Sequence, residues 1–288
     1  MPKFLITTVF LFFSFQLAQA QGYPSLLWEI KKDNQPLGYL FGTMHSGDSA
    51  VFAQLEGLMP YLKQCVVFSG ELDFDESMSQ ELLGQISLFM TDTTLKDLYS
   101  PEDYAFVTKE LSEKWPAESM MSETIMPFWT STFLTVDFET ESMNQALDIV
   151  LQERAVELGM AILPLETAIE QMRSIESIPL RIQADMLLDL IKNFELQQDL
   201  MLTLPELYGK QDLQALHDLY SEDEFPMVMH EALITNRNIL MADRLETLIT
   251  ETPKVFCAVG ALHLPGKDGL IMLLRARGYS VDPVVISD

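Results

Sequence analysis

The chain is short of the residues from which most recognisable sites are built. Its 288 positions hold two cysteines, four histidines and 18 basic residues against 43 acidic ones. There is no C-x-x-C, so neither a structural zinc motif nor a dithiol redox site is present. There is no H-E-x-x-H and no G-x-S-x-G, which leaves zincin and α/β-hydrolase chemistry without support. Residues 260–267 pass briefly for a phosphate-binding loop. Five residues rather than four separate Gly260 from Gly266, however, and Asp268 stands where Ser or Thr would hold magnesium. The deficit of positive charge, a formal −25, repels phosphates, excludes a nucleic-acid partner and disfavours anionic lipid. Such a surface attracts cations, divalent metals and basic peptides included, but only weakly, because salt screens it. Most of these carboxylates serve solubility. Beyond residue 20 no apolar run is long enough to span a bilayer.

What is present begins with an export signal. Lys3 gives a positive start, Phe4 to Leu17 an apolar core, and Ala18-Gln19-Ala20 a small-residue cleavage site. The expected organisation is a signal peptide over residues 1–20 and a single domain over 21–288, with a helical insertion at roughly 76–230. No cysteine follows the cleavage site, so no lipid anchor is implied, and the expected location is the periplasm, with secretion as the second destination. Cys65 and Cys257 lie at the starts of expected strands, each six positions before a candidate site residue. An oxidising compartment permits a disulfide if those strands are parallel neighbours; two small buried hydrophobes are an equally good reading.

Two Gly-x-x-His motifs stand near opposite ends: Gly42-Thr43-Met44-His45 and Gly260-Ala261-Leu262-His263. Each follows an apolar run, Tyr39–Phe41 and Val255–Val259, that reads as a buried strand. Glycine at such a strand end permits a sharp turn or a close approach. The histidine then falls on the sheet rim where open α/β folds bind ligands, and two such rims can aim two imidazoles at one site.

The remaining pattern is α/β at both ends with a helical middle. Leu26–Ile30 and Leu37–Thr43 flank a polar turn at Asp33-Asn34, a hairpin signature. Helical spacing runs from Val51 to Leu62, capped by Ser46 or Asp48. Val66–Phe68 is a strand leading to Glu71. Ser100-Pro101 starts a helix, Met126–Phe138 reads as an apolar core helix, and Asn144–Leu158 forms a helix closed by Gly159. Met160–Leu165 is a strand ending at Glu166-Thr167. Residues 178–220 and His230–Ile249 are helical. Val255–Val259, Gly269–Arg277 and Tyr279–Ile286 complete the chain as strand, helix and strand.

His45, His263 and Glu71 therefore sit at strand ends. Two imidazoles and a carboxylate make a common catalytic metal set with positions left for water and substrate. Without thiolates the set is compatible with zinc, manganese or cobalt as the divalent metal ion. Arg237, within Asn236-Arg237-Asn238, can stabilise an oxyanion, hold a substrate carboxylate, or simply pair with a local acid. Glu166 offers a second acid or ligand, or a charge at the start of a helix. His217 and His230 lie on helices and read as surface or core residues.

These residues resemble the TraB/GumN family, which is related to the Tiki-type metalloproteases. Leu27-Trp28-Glu29-Ile30 with Tyr39 to His45 is similar to the family's opening. Val259-Gly260-Ala261-Leu262-His263-Leu264-Pro265-Gly266-Lys267-Asp268-Gly269-Leu270, followed by Leu274-Arg275-Ala276-Arg277-Gly278-Tyr279, is similar to its closing segment. The middle fits through Leu147-Asp148, Ala155, Leu165-Glu166-Thr167 and Arg237-Asn238. The resemblance implies an α/β, Tiki/TraB-like fold: a mixed central sheet with flanking helices and a largely helical middle segment. It implies a metal-dependent hydrolase, a peptidase acting on a peptide or small-molecule substrate, with His45, His263 and Glu71 on the metal and Glu71 and Arg237 as catalytic groups. Asn236 departs from the pattern, which has Glu before Arg-Asn. Members outside the protease branch sequester peptide signals, so the resemblance also implies the alternative of a non-catalytic peptide- or ligand-binding protein.

Overall fold

The computed structural model describes residues 22–77, 87–136, 146–220 and 226–286. The expected signal peptide, Phe138, and the first two residues of the helix expected from Asn144 lie outside the described residues. The strands are β1 (Leu27–Lys32), β2 (Gln35–Thr43), β3 (Val67–Gly70), β4 (Ala161–Ile162), β5 (Val255–Gly260) and β6 (Ser280–Val284). They form a six-stranded mixed sheet in the order β4-β3-β5-β2-β1-β6. The longer helices are α1 (Leu55–Leu62), α2 (Pro101–Lys114), α3 (Pro127–Val136), α4 (Leu147–Glu157), α5 (Ala168–Glu176), α6 (Leu180–Lys192), α7 (Phe194–Gly209), α8 (Leu213–Leu219), α9 (Asn236–Glu251) and α10 (Leu270–Ala276). The α/β class with a mixed sheet and flanking helices is as the sequence implies. Among the described residues no helix is long and apolar enough to cross a membrane.

Local chemistry explains most of the elements. Asp33 and Asn34 both adopt positive φ, 51° and 61°, as the two-residue turn of a twisted hairpin requires. Ser100 caps α2 by accepting from the Asp103 N–H at 3.1 Å. Asp48, not Ser46, caps the helical turn at Ser49–Phe52, accepting from Ala50 at 2.7 Å. That turn stops before α1, so the single helix expected from Val51 to Leu62 is two pieces. The strand expected over 160–165 is reduced to Ala161–Ile162. Leu163 and Leu165 still donate to the carbonyls of Phe68 and Gly70, but Pro164 has no N–H, and proline is tolerated only at such a sheet edge. The helix expected from His230 starts at Met227 and contains a π-turn over Glu231–Thr235 before α9.

Strands β2, β5, β3 and β4 are mutually parallel, whereas β1 is antiparallel to both β2 and β6. The parallel strands point their carboxyl ends the same way. Covered by helices, they read as continuous apolar runs: β3 is buried throughout, and β5 up to its final glycine. Phe41, Phe256 and Phe68 form a row across the sheet, with successive ring centroids 6.3 Å apart. A second core cluster, built on Tyr99, Leu111, Trp115, Leu134 and Leu187, lies among α2, α3 and α6. The register puts Val67 opposite Val255 and Ser69 opposite Cys257, so Cys65 falls before the strand and does not face Cys257. Both thiols are free and buried. Burial pushes Cys65 up to about 12 and raises Cys257 as well, which makes both unreactive.

Helix α7 is tied to the sheet rim by one buried hydrogen bond. The Tyr208 hydroxyl donates to the Gly42 carbonyl at 2.7 Å, three residues before His45. Replacing Tyr208 with phenylalanine leaves that carbonyl without its partner, a loss of about 1–3 kcal/mol. Urea denaturation of Tyr208→Phe is expected to show a lower midpoint with an unchanged slope; an unchanged midpoint would remove this bond from the account of how the rim is held.

Candidate functional site at the carboxyl edge of the sheet

The parallel pairing of β2 with β5 sets Gly42 opposite Val259 and Thr43 opposite Gly260. Two motifs more than two hundred residues apart thus reach one rim, offset by a single position. Their glycines are there for space. A Cβ on Gly42 would lie 2.9 Å from the Ala261 Cα, and one on Gly260 would lie 3.2 Å from a carboxylate oxygen of Glu71. Glu71 itself follows β3 directly, and Glu166 lies just beyond β4.

Arg237 joins the last two. Its Nη2 donates to Glu71 and to Glu166 at 2.6 Å each, its Nε donates to both Glu166 oxygens at 3.1 Å, and its Nη1 donates to the Leu233 carbonyl at 3.2 Å. Glu166 is buried. One turn-pair further along α9, Arg244 donates to the Leu165 carbonyl and grips Glu170 with two nitrogens. Glu170 in turn closes a capping box with Thr167. Helix α9 therefore clasps the loop after β4 from both sides of Glu166. Gln171 donates to Glu71 and Glu166 at 3.1 and 3.3 Å.

His263 is buried, in a short 3-10 turn after β5. Asn238 fixes its tautomer. The Asn238 amide nitrogen donates to the carbonyls of His263 and Asp268 at 3.3 and 2.8 Å, so its oxygen faces the imidazole. His263 Nδ1 lies 2.6 Å from that oxygen and must donate to it. Nε2 is left with its lone pair and lies 3.7 Å from Glu71 Oε1, too far for a hydrogen bond. Oε1 also accepts the Gly260 N–H at 2.7 Å.

Burial pushes His263 down to about 4, against the raising effect of Glu71 and with the help of Arg237. Burial works to raise Glu71, but His263, Arg237 and the Gly260 N–H outweigh it and draw the carboxyl down to about 2. At neutral pH His263 is uncharged, so the guanidinium and the Gly260 N–H hold the carboxylate there. A neutral imidazole lone pair and an ionised carboxylate oxygen thus face one another across 3.7 Å.

His45 stands apart from this group. Its side chain is 52 % exposed, and its Nδ1 lies 3.0 and 3.1 Å from the two oxygens of Asp148 on α4. It lines a cavity of about 270 Å³ together with Glu71, Asp148, Gln171, Phe74 and Gly260. Of the four residues singled out from sequence, Glu71, His263 and Arg237 form one contact group, and of these Glu71 lines the cavity that His45 also lines. Among the described residues no three His, Cys, Asp or Glu side chains converge closely enough to hold a metal ion as they stand. The donor chemistry nevertheless fits a divalent metal. Both imidazoles are oriented through Nδ1 by an oxygen partner, the arrangement common in metal-binding histidines. The 3.7 Å separation of Nε2 and Oε1 is one that two ligands of a single zinc ion, each about 2.0–2.2 Å from it, can adopt.

The roles of Asp148, Gln171 and Asn238 are not readable from local pattern. Asn238 carried a signal in being a buried polar residue next to Arg237 in an apolar helix. Asp148 stood out only within the Leu147-Asp148 pair of the family resemblance, and Gln171 carried no signal; their partners His45 and Glu71 lie about a hundred residues away. Glu166 joins the site as the partner of Arg237, and Thr167, not Glu166, caps α5.

The fold and rim together define an α/β protein with a cavity, lined by both apolar and charged side chains, at the carboxyl edge of its parallel strands. The chain belongs to the TraB/PrgY/gumN family, whose model it matches over residues 26–283. No curated protein and no solved structure matches it.

The two depressed groups make stability depend on acid. An unfolded His263 binds a proton below about 6.5, but the folded one resists until about 4. Unfolding therefore takes up protons in this window, and the stability present above it is lost as pH falls from 6.5 to 4. Glu71 extends the loss from about 4.5 towards 2. The His263 part is on the order of 3 kcal/mol. Denaturation midpoints at pH 7, 5.5 and 4 are expected to fall steadily, and His263→Gln to flatten the upper part of the fall. A level wild-type profile over that range would contradict the buried neutral imidazole.

Proposed function

We propose that the protein is an exported metal-dependent hydrolase acting on peptide bonds, with its site at the rim cavity. The observation that carries this reading is the lone pair of His263 facing the Glu71 carboxylate, an arrangement that a cation would stabilise. His263 and Glu71 would supply two ligands and His45 a third. Zinc, manganese and cobalt all suit this donor set. Such an ion, when bound, polarises a carbonyl and lowers the pKa of a water.

The chain's own residues do the rest. Asn238 and Asp148 hold the two imidazoles by Nδ1. Glu71 is a weak base, since a carboxyl near 2 lies far from working pH, which favours its role as ligand over that of general base. The guanidinium of Arg237 spends its contacts on two carboxylates and a carbonyl. In this reading it is a positioning residue that keeps Glu71 ionised and aimed, and not an oxyanion donor. Gln171, on the cavity wall, orients Glu71 and offers its amide oxygen as an acceptor to a substrate. The sequence of residues 1–20 supports export to the periplasm, or secretion.

The rim cavity of about 270 Å³, with apolar as well as charged walls, also suits a second reading, a peptide-binding protein of the same fold without turnover. Metal titration with manganese, cobalt and zinc, followed by peptide-library hydrolysis, separates them. About one ion per chain is expected, lost together with hydrolysis in the His45→Ala/His263→Ala double variant. Asn238→Ala, which frees the imidazole, is expected to weaken metal binding roughly 10–100-fold. Hydrolysis equal in the wild type and the double variant would overturn the assignment, and peptide binding without metal or turnover would move it to the second reading.

A further inference from the structure

A second cavity lies on the other side of the turn that carries His263. Its volume is about 180 Å³, and its apolar walls are Tyr220, Met229, Leu233, Ile234, Leu262 and Pro265. Cavities on the order of 150 Å³ with aliphatic and aromatic walls hold a single benzene-sized guest. This one therefore has room for one branched aliphatic or aromatic group. It is not uniformly apolar: His217, His230, Lys267 and Asp268 also line it. An apolar pocket with a few polar groups at fixed positions is the usual form of a small-ligand site.

His217, His230 and Asp268 are held in place. The hydroxyl of Thr235 lies 3.3 Å from His230 Nδ1 and 3.4 Å from Asp268 Oδ2. The Tyr23 ring meets His217 edge-on, and the Tyr23 hydroxyl accepts the Gly266 N–H at 3.0 Å. The pocket's residues adjoin those of the rim group. Leu262 precedes His263 in the same turn. Leu233, within the π-turn, gives its carbonyl to Arg237. Asn238, which orients His263, also binds the Asp268 carbonyl. Single π-turns inside helices recur at functional sites, and this one carries Leu233 and Ile234 of the apolar wall just before Arg237.

We propose that this cavity is a specificity pocket for one leucine- or phenylalanine-sized side chain of a peptide ligand. Lys267 and Asp268 add charged residues to the lining beside the apolar walls. The proposal rests on the peptide reading of the neighbouring site, but its test does not require turnover.

The probes are N-acetyl-leucinamide, N-acetyl-phenylalaninamide and N-acetyl-glycinamide, titrated into protein carrying ¹³C-methyl methionine. Met229 is buried on the pocket wall, and its resonance is assigned by its loss in Met229→Leu. A saturable shift with the leucine and phenylalanine amides is expected, with the glycine amide weaker by about tenfold or more. Leu233→Trp and Leu262→Trp each fill the cavity and are expected to abolish the shift. Two variants on different elements guard against one failing to fold. Binding that persists in His45→Ala/His263→Ala supports the pocket even if no hydrolysis is found. The absence of a saturable Met229 shift, or a shift untouched by either folded tryptophan variant, overturns the pocket and leaves the hydrolase reading standing.

Discussion

A largely buried guanidinium holds the carboxyl edge of the sheet together. Arg237 reaches from α9 to Glu71 after β3 and to Glu166 after β4, and without it two carboxylates would lie side by side with little water. Glu166 is 1 % exposed at its side chain and Arg237 13 %. Breaking a buried pair by removing one partner costs about 3–5 kcal/mol, because the remaining charge is left uncompensated. Here one cation offsets two acids, so its loss would exceed that of an ordinary pair. The same contact keeps Glu71 ionised. It sets the charge of the group that faces His263, and the chemistry of the rim depends on it.

The arrangement also explains why a strongly acidic chain keeps cations where it does. Of its few basic residues, Arg237 and Arg244 are both spent on the loop between β4 and α5. Each also satisfies a backbone carbonyl, Leu233 for Arg237 and Leu165 for Arg244. Exposed ion pairs such as Arg154–Glu157 contribute little by comparison. Position within the fold, not number, makes these arginines matter.

Much of the scaffold was legible in the sequence because it follows from local rules. Asp33-Asn34 demanded a turn with positive φ, and Ser100-Pro101 a helix start. The two Gly-x-x-His motifs marked strand ends that meet at one rim. What was hidden depends on register and on long-range pairing. The equal six-residue spacing from Cys65 to Glu71 and from Cys257 to His263 looked like a parallel offset. It is not one, because β3 and β5 pair with Ser69 opposite Cys257 and the two site residues leave their strands differently. His45 was legible as a rim residue, but its partner Asp148 was not, since nothing local to either residue specifies a contact across 103 positions. The π-turn before Arg237 left no mark in the apolar spacing, although it places Leu233 beneath the guanidinium.

The two cavities are best understood as faces of one unit. The turn after β5 presents Gly260 to the rim cavity and Leu262 to the apolar one, with His263 fixed between them by Asn238. Asn238 is bonded at once to the His263 ring, the His263 carbonyl and the Asp268 carbonyl. A group filling the apolar cavity would lie against Leu262 and Asp268, which adjoin His263 and its partner Asn238. Packed interiors transmit strain because they have little free volume to absorb it. A ligand side chain in the pocket and a reacting group at the rim would thus be coupled through a turn three residues long, with the buried Arg237 clasp as the fixed point against which that turn is held.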